Sequence, residues 1–198
     1  MTRSDAVENR SLILSVVEEA IKSGRRPLPT MSDIVKASGL GRGTVYRHFA
    51  DIGELFFAYL QDGYTKLCCT YEPEWISGGR AVLRKRLQEF LTLYFRFNIE
   101  NHTLLSSPEC LTSEGLQLAK NELRRKIFVT ATLMSDTPLK PIELSKWADV
   151  MAHCVETGHL MSCHILEARS EISVGIAMNL LDQFLELNEA SAAPNSST

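Results

Sequence analysis

Apolar residues recur along this chain at helical spacing almost from its first residues. Leu12, Ile13, Val16, Val17, Ala20 and Ile21 repeat every three to four positions and predict one face of a first helix. Gly24 closes it, and the run RRPLP reads as a stiff loop. Thr30 stands where a second helix would start, with Asp33 three residues on, the spacing of a capping box. That helix is short, buries Met31, Ile34 and Val35, and stops at Ser38-Gly39. A third begins near Gly41 and ends at Phe49, anchored inward by Val45 and Phe49, four residues apart. Asp51 caps a fourth, whose apolar stripe is Ile52, Leu55, Phe56, Tyr59 and Leu60.

Longer helices follow the linker-like stretch EPEWISGG at residues 72–79. Residues 82–100 carry Leu83, Leu87, Phe90, Leu91 and Tyr94 on one face. Pro108 opens a short helical piece, as Pro does at a first helical position. Ser113 caps a helix to about Met134, and Pro138 and Pro141 bound a loop. Residues 141–166 predict a long helix with Trp147, Met151, Cys154, Val155 and Ile165. Ser170 caps a last helix, 171–187, with Ile172, Ile176, Ala177, Leu180, Leu181, Phe184 and Leu185. The tail NEASAAPNSST is polar enough to be disordered. Clean two-residue alternation is nearly absent, so the class is all-α with about nine helices. The organisation expected is an N-terminal three-helix unit at residues 1–50 and a connecting fourth helix at 51–71. A larger helical domain at 72–189 and a tail at 190–198 complete it.

Charge sharpens this division. The 198-residue chain carries a net charge of −3, which argues against a general nucleic-acid coat. Its first 50 residues nevertheless hold eight Lys or Arg against five Asp or Glu, and the remainder 13 against 19. A small anion-binding module on an acidic body is the reading this asymmetry supports. No run of 18 apolar residues predicts a membrane span, and MTRSDAVENR has no apolar core of a signal peptide, so a cytoplasmic location is expected.

Enzyme chemistry finds little support. There is no phosphate loop after a strand and no nucleophile elbow, so neither an enzyme nor a cofactor is expected. The five cysteines lack metal-type spacing. His153, Cys154, His159, Cys163 and His164 fall in one predicted helix, and only His159 and Cys163 share a face at i and i+4. No third ligand is fixed there, so the reading is a packed or partner-facing helix with no metal.

The chemistry concentrates in ASGLGRGTVYRHF, residues 37–49. Two short helices joined by a glycine-containing turn, after a preceding helix, form the pattern of a DNA-binding helix-turn-helix. Gly39 suits the left-handed residue that closes a helix. Leu40 plugs the turn, Gly41 opens the next helix, and Gly43 removes a side chain where another backbone must come close. The first turns of such a helix face base edges in the major groove. Arg42 can offer its fork to a guanine, and Thr44 can reach a phosphate or a thymine methyl. Tyr46, Arg47 and His48 are placed for phosphate oxygens, and Thr30 sits at a helix N-terminus able to take another. The partner expected is double-stranded DNA.

These residues, with E-L-F-F on the next helix, resemble the TetR family of bacterial transcriptional regulators. Gly39, Gly43, Thr44, Val45, Tyr46, His48, Phe49 and Leu55 carry the resemblance, which covers roughly residues 9–60. It implies a three-helix DNA-binding domain, a larger helical domain with a small-molecule pocket, and a homodimer. One departure stands out. The family usually has a phosphate-contacting Lys near the start of the fourth helix; here Ala50-Asp51-Ile52-Gly53 occupies that place, and Asp51 repels phosphate.

The function expected is a ligand-responsive regulator, most simply a repressor released from its operator by a small molecule. Two chains would pack helices 141–166 and 171–187 into a four-helix bundle. Gly158, Ser162, Gly175 and Ala177 would permit close approach, and Ile172, Ile176, Leu180 and Phe184 would supply apolar area. Phe90, Tyr94, Trp147 and Met151 would line a mainly apolar effector cavity, although plain core packing explains the same residues. The Tyr94 hydroxyl, Asn98 and the Trp147 indole would give the ligand one or two hydrogen bonds. Two other classes stay open: an architectural DNA-binding protein without effector, and a helical enzyme or carrier using the cavity.

Overall fold

The computed structural model describes residues 3–24, 27–69, 77–111, 114–157 and 166–192. All regular structure among them is helical: α1 (Arg3–Lys22), α2 (Met31–Ser38), α3 (Arg42–His48), α4 (Ile52–Cys69), α5 (Arg80–Glu100), α6 (His102–Leu105), α7 (Pro108–Leu111), α8 (Glu114–Met134), α9 (Pro141–Thr157) and α10 (Leu166–Ala192). Two of the ten are four-residue turns. The all-α class holds. The chain forms two compact units, Met1–Thr65 with Glu100–Gln117, and Lys66–Ile99 with Leu118–Thr198. The change of unit falls inside α4, at the last residue of α5 and inside α8.

In the first unit the core is built from Ile13, Leu14 and Val17 of α1, Ile34 of α2, Val45 of α3, Phe49, and Leu55, Phe56 and Leu60 of α4. Each such side chain, fully buried, contributes about 1.5–3 kcal/mol over leaving it in water. The inward face of α1 therefore differs from the sequence expectation. Leu14 is buried and Leu12 is 42% exposed, so the face is centred on 13, 14 and 17. Met31 and Val35 are only half-buried; Ile34 alone of the three is enclosed.

The second unit takes its core from four helices. On α5 these are Leu83, Leu87, Phe90, Leu91, Tyr94 and Phe95, with Asn98 one turn further along. On α8 the buried face is Leu123, Ile127, Ala131 and Met134, with Lys126 and Thr130 among them. Leu144, Ala148, Met151, Ala152 and Val155 of α9 face Val174, Ala177, Met178, Leu181, Phe184 and Leu185 of α10. Ion pairs cross between helices at the surface. The Arg84 fork donates to Asp182 at 2.7–3.1 Å, Arg80 donates to Glu189 at 2.6 Å, and Arg124 to Asp149 at 2.6 Å.

Three expectations about the C-terminal helices change. The last helix begins at Leu166, and Ser170 lies inside it, 4% exposed, so it is no cap. The helix continues to Ala192, so residues 190–192 are helical rather than tail. Phe184 is 5% exposed, with its ring 5.5 Å from that of Trp147, so it packs inside its own unit. Ile172 and Ile176 are 43% and 46% exposed, Leu180 is half-buried, and Leu187 is 62% exposed. At 100° per residue Leu187 falls about 20° past Ile176 on the side away from Ile172, while Phe184 falls about 80° past it. Gly158, Ser162, His159, Cys163 and His164 lie outside the described residues.

Candidate nucleic-acid interface

The interface is built by how each short helix starts and stops. Thr30 caps α2 in a full capping box: its Oγ1 accepts from the Asp33 amide at 3.3 Å, and its amide donates to Asp33 Oδ2 at 3.0 Å. Its hydroxyl also donates to Asp33 Oδ2 at 2.8 Å. An acidic side chain thus already occupies the positive end of α2. Thr30 is exposed, but its polar groups serve the cap first.

Gly39 closes α2 in the left-handed conformation, φ 67 and ψ 5, where a β-carbon would be strained. Leu40 is half-buried in the turn. Gly41 begins α3 with extended backbone and no side-chain cap. Its carbonyl accepts from Thr44 and Val45 at 2.9 and 3.2 Å. Val45 is fully buried, and Phe49, which ends α3, is 3% exposed. These two anchors turn the other side of α3 outward.

On that side Arg42, Gly43, Tyr46 and Arg47 are exposed and Thr44 is half-buried. The Arg42 guanidinium lies over the Tyr46 ring, 5.2 Å from its centroid. Gly43 has a bare surface: a β-carbon built on it meets no atom within 4 Å. The fold therefore gives no packing reason for a glycine inside a helix. His48 differs from the expectation. Its Nε2 is buried without a hydrogen-bond partner among the described residues, so that nitrogen does not face a phosphate.

The start of α4 is held by carboxylates. Asp51 Oδ1 accepts from the Glu54 amide at 2.8 Å, and Glu54 Oε2 accepts from the Ala50 amide at 2.7 Å. This reciprocal cap explains Asp51 physically, since side-chain oxygens satisfy amides that α4 leaves open. It also places negative charge where the resembling family has a Lys.

One residue of this region was passed over in the sequence. Arg10 of α1 donates to Asp62 of α4 from both guanidinium nitrogens, at 3.2 and 3.4 Å. The same group lies over the Phe49 ring at 5.8 Å. Its signal was its position: Arg10 stands three and four residues before the buried Ile13 and Leu14, on the inward side of α1.

In the second unit Phe90, Tyr94 and Met151 are at most 2% exposed, and Phe90 and Tyr94 face each other at 6.1 Å. Trp147 instead pairs with Phe184 and lines a groove of about 370 Å³ with Pro138, Lys140, Glu143 and Asn188. Burial and the neighbouring Glu18 and Glu100 push the Tyr59 hydroxyl up to about 12. Burial first, then Glu122, pushes the Cys68 thiol up to about 11, which keeps it protonated and unreactive. Among the described residues no three His, Cys, Asp or Glu side chains are grouped to hold a metal ion, and no helix is long and apolar enough to cross a membrane.

Comparison with known proteins bears on the same segment. Residues 29–59 match the profile of bacterial regulatory proteins of the tetR family. An HTH-type transcriptional regulator of Staphylococcus aureus strain MRSA252 is 31% identical over 114 residues, 57% of this chain and 60% of that protein. A second, from the bovine strain RF122 / ET3-1, is 30% identical over 52% of this chain and 55% of its own length. The alignments thus span less than two thirds of either relative. Among solved structures, a TetR-family transcriptional regulator from Syntrophomonas wolfei superposes with a TM-score of 0.62 at 16% identity, covering 90% of this chain and 95% of its own. A TetR transcriptional regulator from a Rhodococcus species gives 0.58, also at 16%, covering 91% and 97%. At that identity these two speak for the fold. All four are named as transcriptional regulators.

Proposed function

We propose, from residues 29–59, which match the profile of bacterial regulatory proteins of the tetR family, that the protein is a TetR-type, ligand-responsive repressor. It reads double-stranded DNA with the outward face of α3. The observation that carries the DNA-binding part is the exposed face of Arg42, Gly43, Tyr46 and Arg47, held outward by the buried Val45 and Phe49. Arg42 reads a base edge; Arg47 and Tyr46 hold phosphates; Thr44 sits between them. Thr30 and the Nδ1 edge of His48 contribute to the backbone contact.

Two chains associate through α9 and α10, presenting two copies of α3 to successive major grooves about 34 Å apart. The exposed Ile172, Ile176 and Leu187 support that association. A mainly apolar small molecule, bound in the second unit, favours the state whose spacing no longer fits. The supporting feature is the aromatic side chains that the second unit carries, Phe90, Tyr94 and Phe95 on α5 and Trp147 on α9.

The test begins with selection of duplexes from a random pool by the full chain, followed by footprinting. A pair of related half-sites about one helical turn apart is expected. A library of apolar and charged metabolites is then screened for release of that duplex. Release by apolar compounds alone is expected, and release only by highly charged ones overturns the effector reading. Failure to select any duplex overturns the DNA-binding reading.

A further inference from the structure

We propose that Arg10 is the positioning residue of the recognition helix: it fixes the end of α3 against α4 and so sets how Arg42 and Tyr46 are offered to DNA. The inference rests on the DNA-binding reading above and adds a residue to it.

A guanidinium is planar and rigid, and its donors form a fixed fork. Here the two sides of that plane meet different elements. Along its edge, Nη1 and Nη2 donate to Oδ2 and Oδ1 of Asp62, one nitrogen to each oxygen, at 3.2 and 3.4 Å. Its Cζ also lies over the Phe49 ring, 5.8 Å from the centroid. Phe49 ends α3, with its amide donating to the Val45 carbonyl at 3.0 Å. Arg10 itself is rooted in α1 beside Ile13 and Leu14. One side chain therefore joins α1, α4 and the residue that caps α3.

The energetics separate a positioning role from a merely structural one. The side chains of Arg10 and Asp62 are 41% and 39% exposed, so the pair adds little to global stability. The core of Val45, Leu55 and Phe56 holds the fold without it. What the fork supplies is direction. It ties the end of α3, through the Phe49 ring, to Asp62 of α4 and to α1. A lysine in its place would keep the charge and lose the plane.

The competing role for an arginine in a basic unit is a direct phosphate contact, and the two roles differ in how Asp62 acts. If Arg10 positions α3, removing Asp62 harms DNA reading. If Arg10 binds phosphate, removing Asp62 releases it and leaves binding equal or tighter.

The experiment uses the full chain, a duplex that the wild type selects from a random pool, and a scrambled duplex of equal length. Fluorescence anisotropy over a salt series measures Arg10→Met, Arg10→Lys, Asp62→Asn and the Arg10→Met/Asp62→Asn double variant, with melting temperatures alongside. Each single variant should bind the selected duplex about fivefold more weakly, the scale of one exposed charge–π or bidentate contact. The double variant should be no weaker than either single one, and melting temperatures and scrambled-duplex binding should stay at wild-type values.

Wild-type binding by Asp62→Asn, with Arg10→Met weaker on both duplexes and its salt slope lower by about one, overturns the proposal in favour of a phosphate contact. Losses on both duplexes that track a falling melting temperature overturn it in favour of a structural role. Wild-type binding by Arg10→Lys shows that charge alone suffices and overturns it too. If the wild type selects no duplex at all, it is the DNA-binding reading that has failed, and this inference falls with it.

Discussion

The guanidinium of Arg42 lies across the ring of Tyr46, one helical turn further along α3, with 5.2 Å between Cζ and the ring centroid. Both side chains are exposed, so the stack stands on the surface that the core anchors turn outward. It limits the rotamers of a long side chain before any DNA arrives, which lowers the entropy lost on binding. Tyr46→Ala should therefore weaken the operator by about 0.5–1 kcal/mol through Arg42 alone, beyond any hydroxyl contact. Tyr46→Phe should keep that share. Arg42→Ala should cost about 1–3 kcal/mol at one base pair and relax the preference there. Titration of operators with single-base substitutions measures both; unchanged discrimination in Tyr46→Ala would show that the stack is incidental.

Gly43 sits in a helix where a β-carbon would meet nothing, so the fold alone would be better served by alanine. Gly43→Ala should stabilise the free protein by about 0.5–1 kcal/mol. The same variant should bind DNA more weakly, because the methyl group stands where a DNA backbone or base edge approaches. A melting curve and a gel shift on one preparation give the two signs. Stabilisation with undiminished DNA affinity would move the close approach away from Gly43.

Much of the α2–α3 region was legible because its signals are local. Thr30 with Asp33, Gly39, and the Val45–Phe49 pair act within one turn of backbone, and the structure holds each as the residues implied. The position of Arg10 on α1 was legible, but its partners were not, since Phe49 and Asp62 are 39 and 52 residues away in the chain. The Leu12 and Phe184 errors share another cause. An apolar stripe with more apolar positions than its face needs can be rotated by a residue either way, and only the neighbouring helix decides. For α1 the choice fell on Leu14; for α10 Trp147 drew Phe184 inward. Asp51, expected from the sequence to cap the fourth helix, does so, and Glu54 completes a reciprocal cap with it.

That rotation of α10 directs the test of association. Ile176→Asp, on the exposed arc with Ile172 and Leu187, should give a monomer at micromolar concentration with little loss of melting temperature per protomer. Phe184→Ala should instead cost about 3–5 kcal/mol of stability, because it empties the space beside Trp147. Sedimentation velocity and thermal melts separate the two. An Ile176→Asp chain that remains fully dimeric would place the interface on another surface.

Glu156 of α9 offers a test by pH. Its carboxyl is drawn above its ordinary value of 4.5, chiefly because burial penalises the ionised form; Arg124, 3.6 Å away, offsets part of this. A carboxyl whose value is raised in the folded state holds its proton there longer than in the unfolded chain. The stability it contributes is then fully present below the unfolded value and is lost as pH rises through the folded one. Glu156→Gln keeps the size and removes the titration, and Arg124 retains Asp149 at 2.6 Å. The variant and wild type should melt alike near pH 4. The variant should gain as pH rises, by roughly 2–4 °C at pH 7 for each 1 kcal/mol relieved in a chain of this size. Melting curves from pH 4 to pH 8 provide the measurement. A variant less stable than wild type at pH 7 would mean that the attraction of Arg124 outweighs the burial of the charge, and the sign of the shift would have to be reversed.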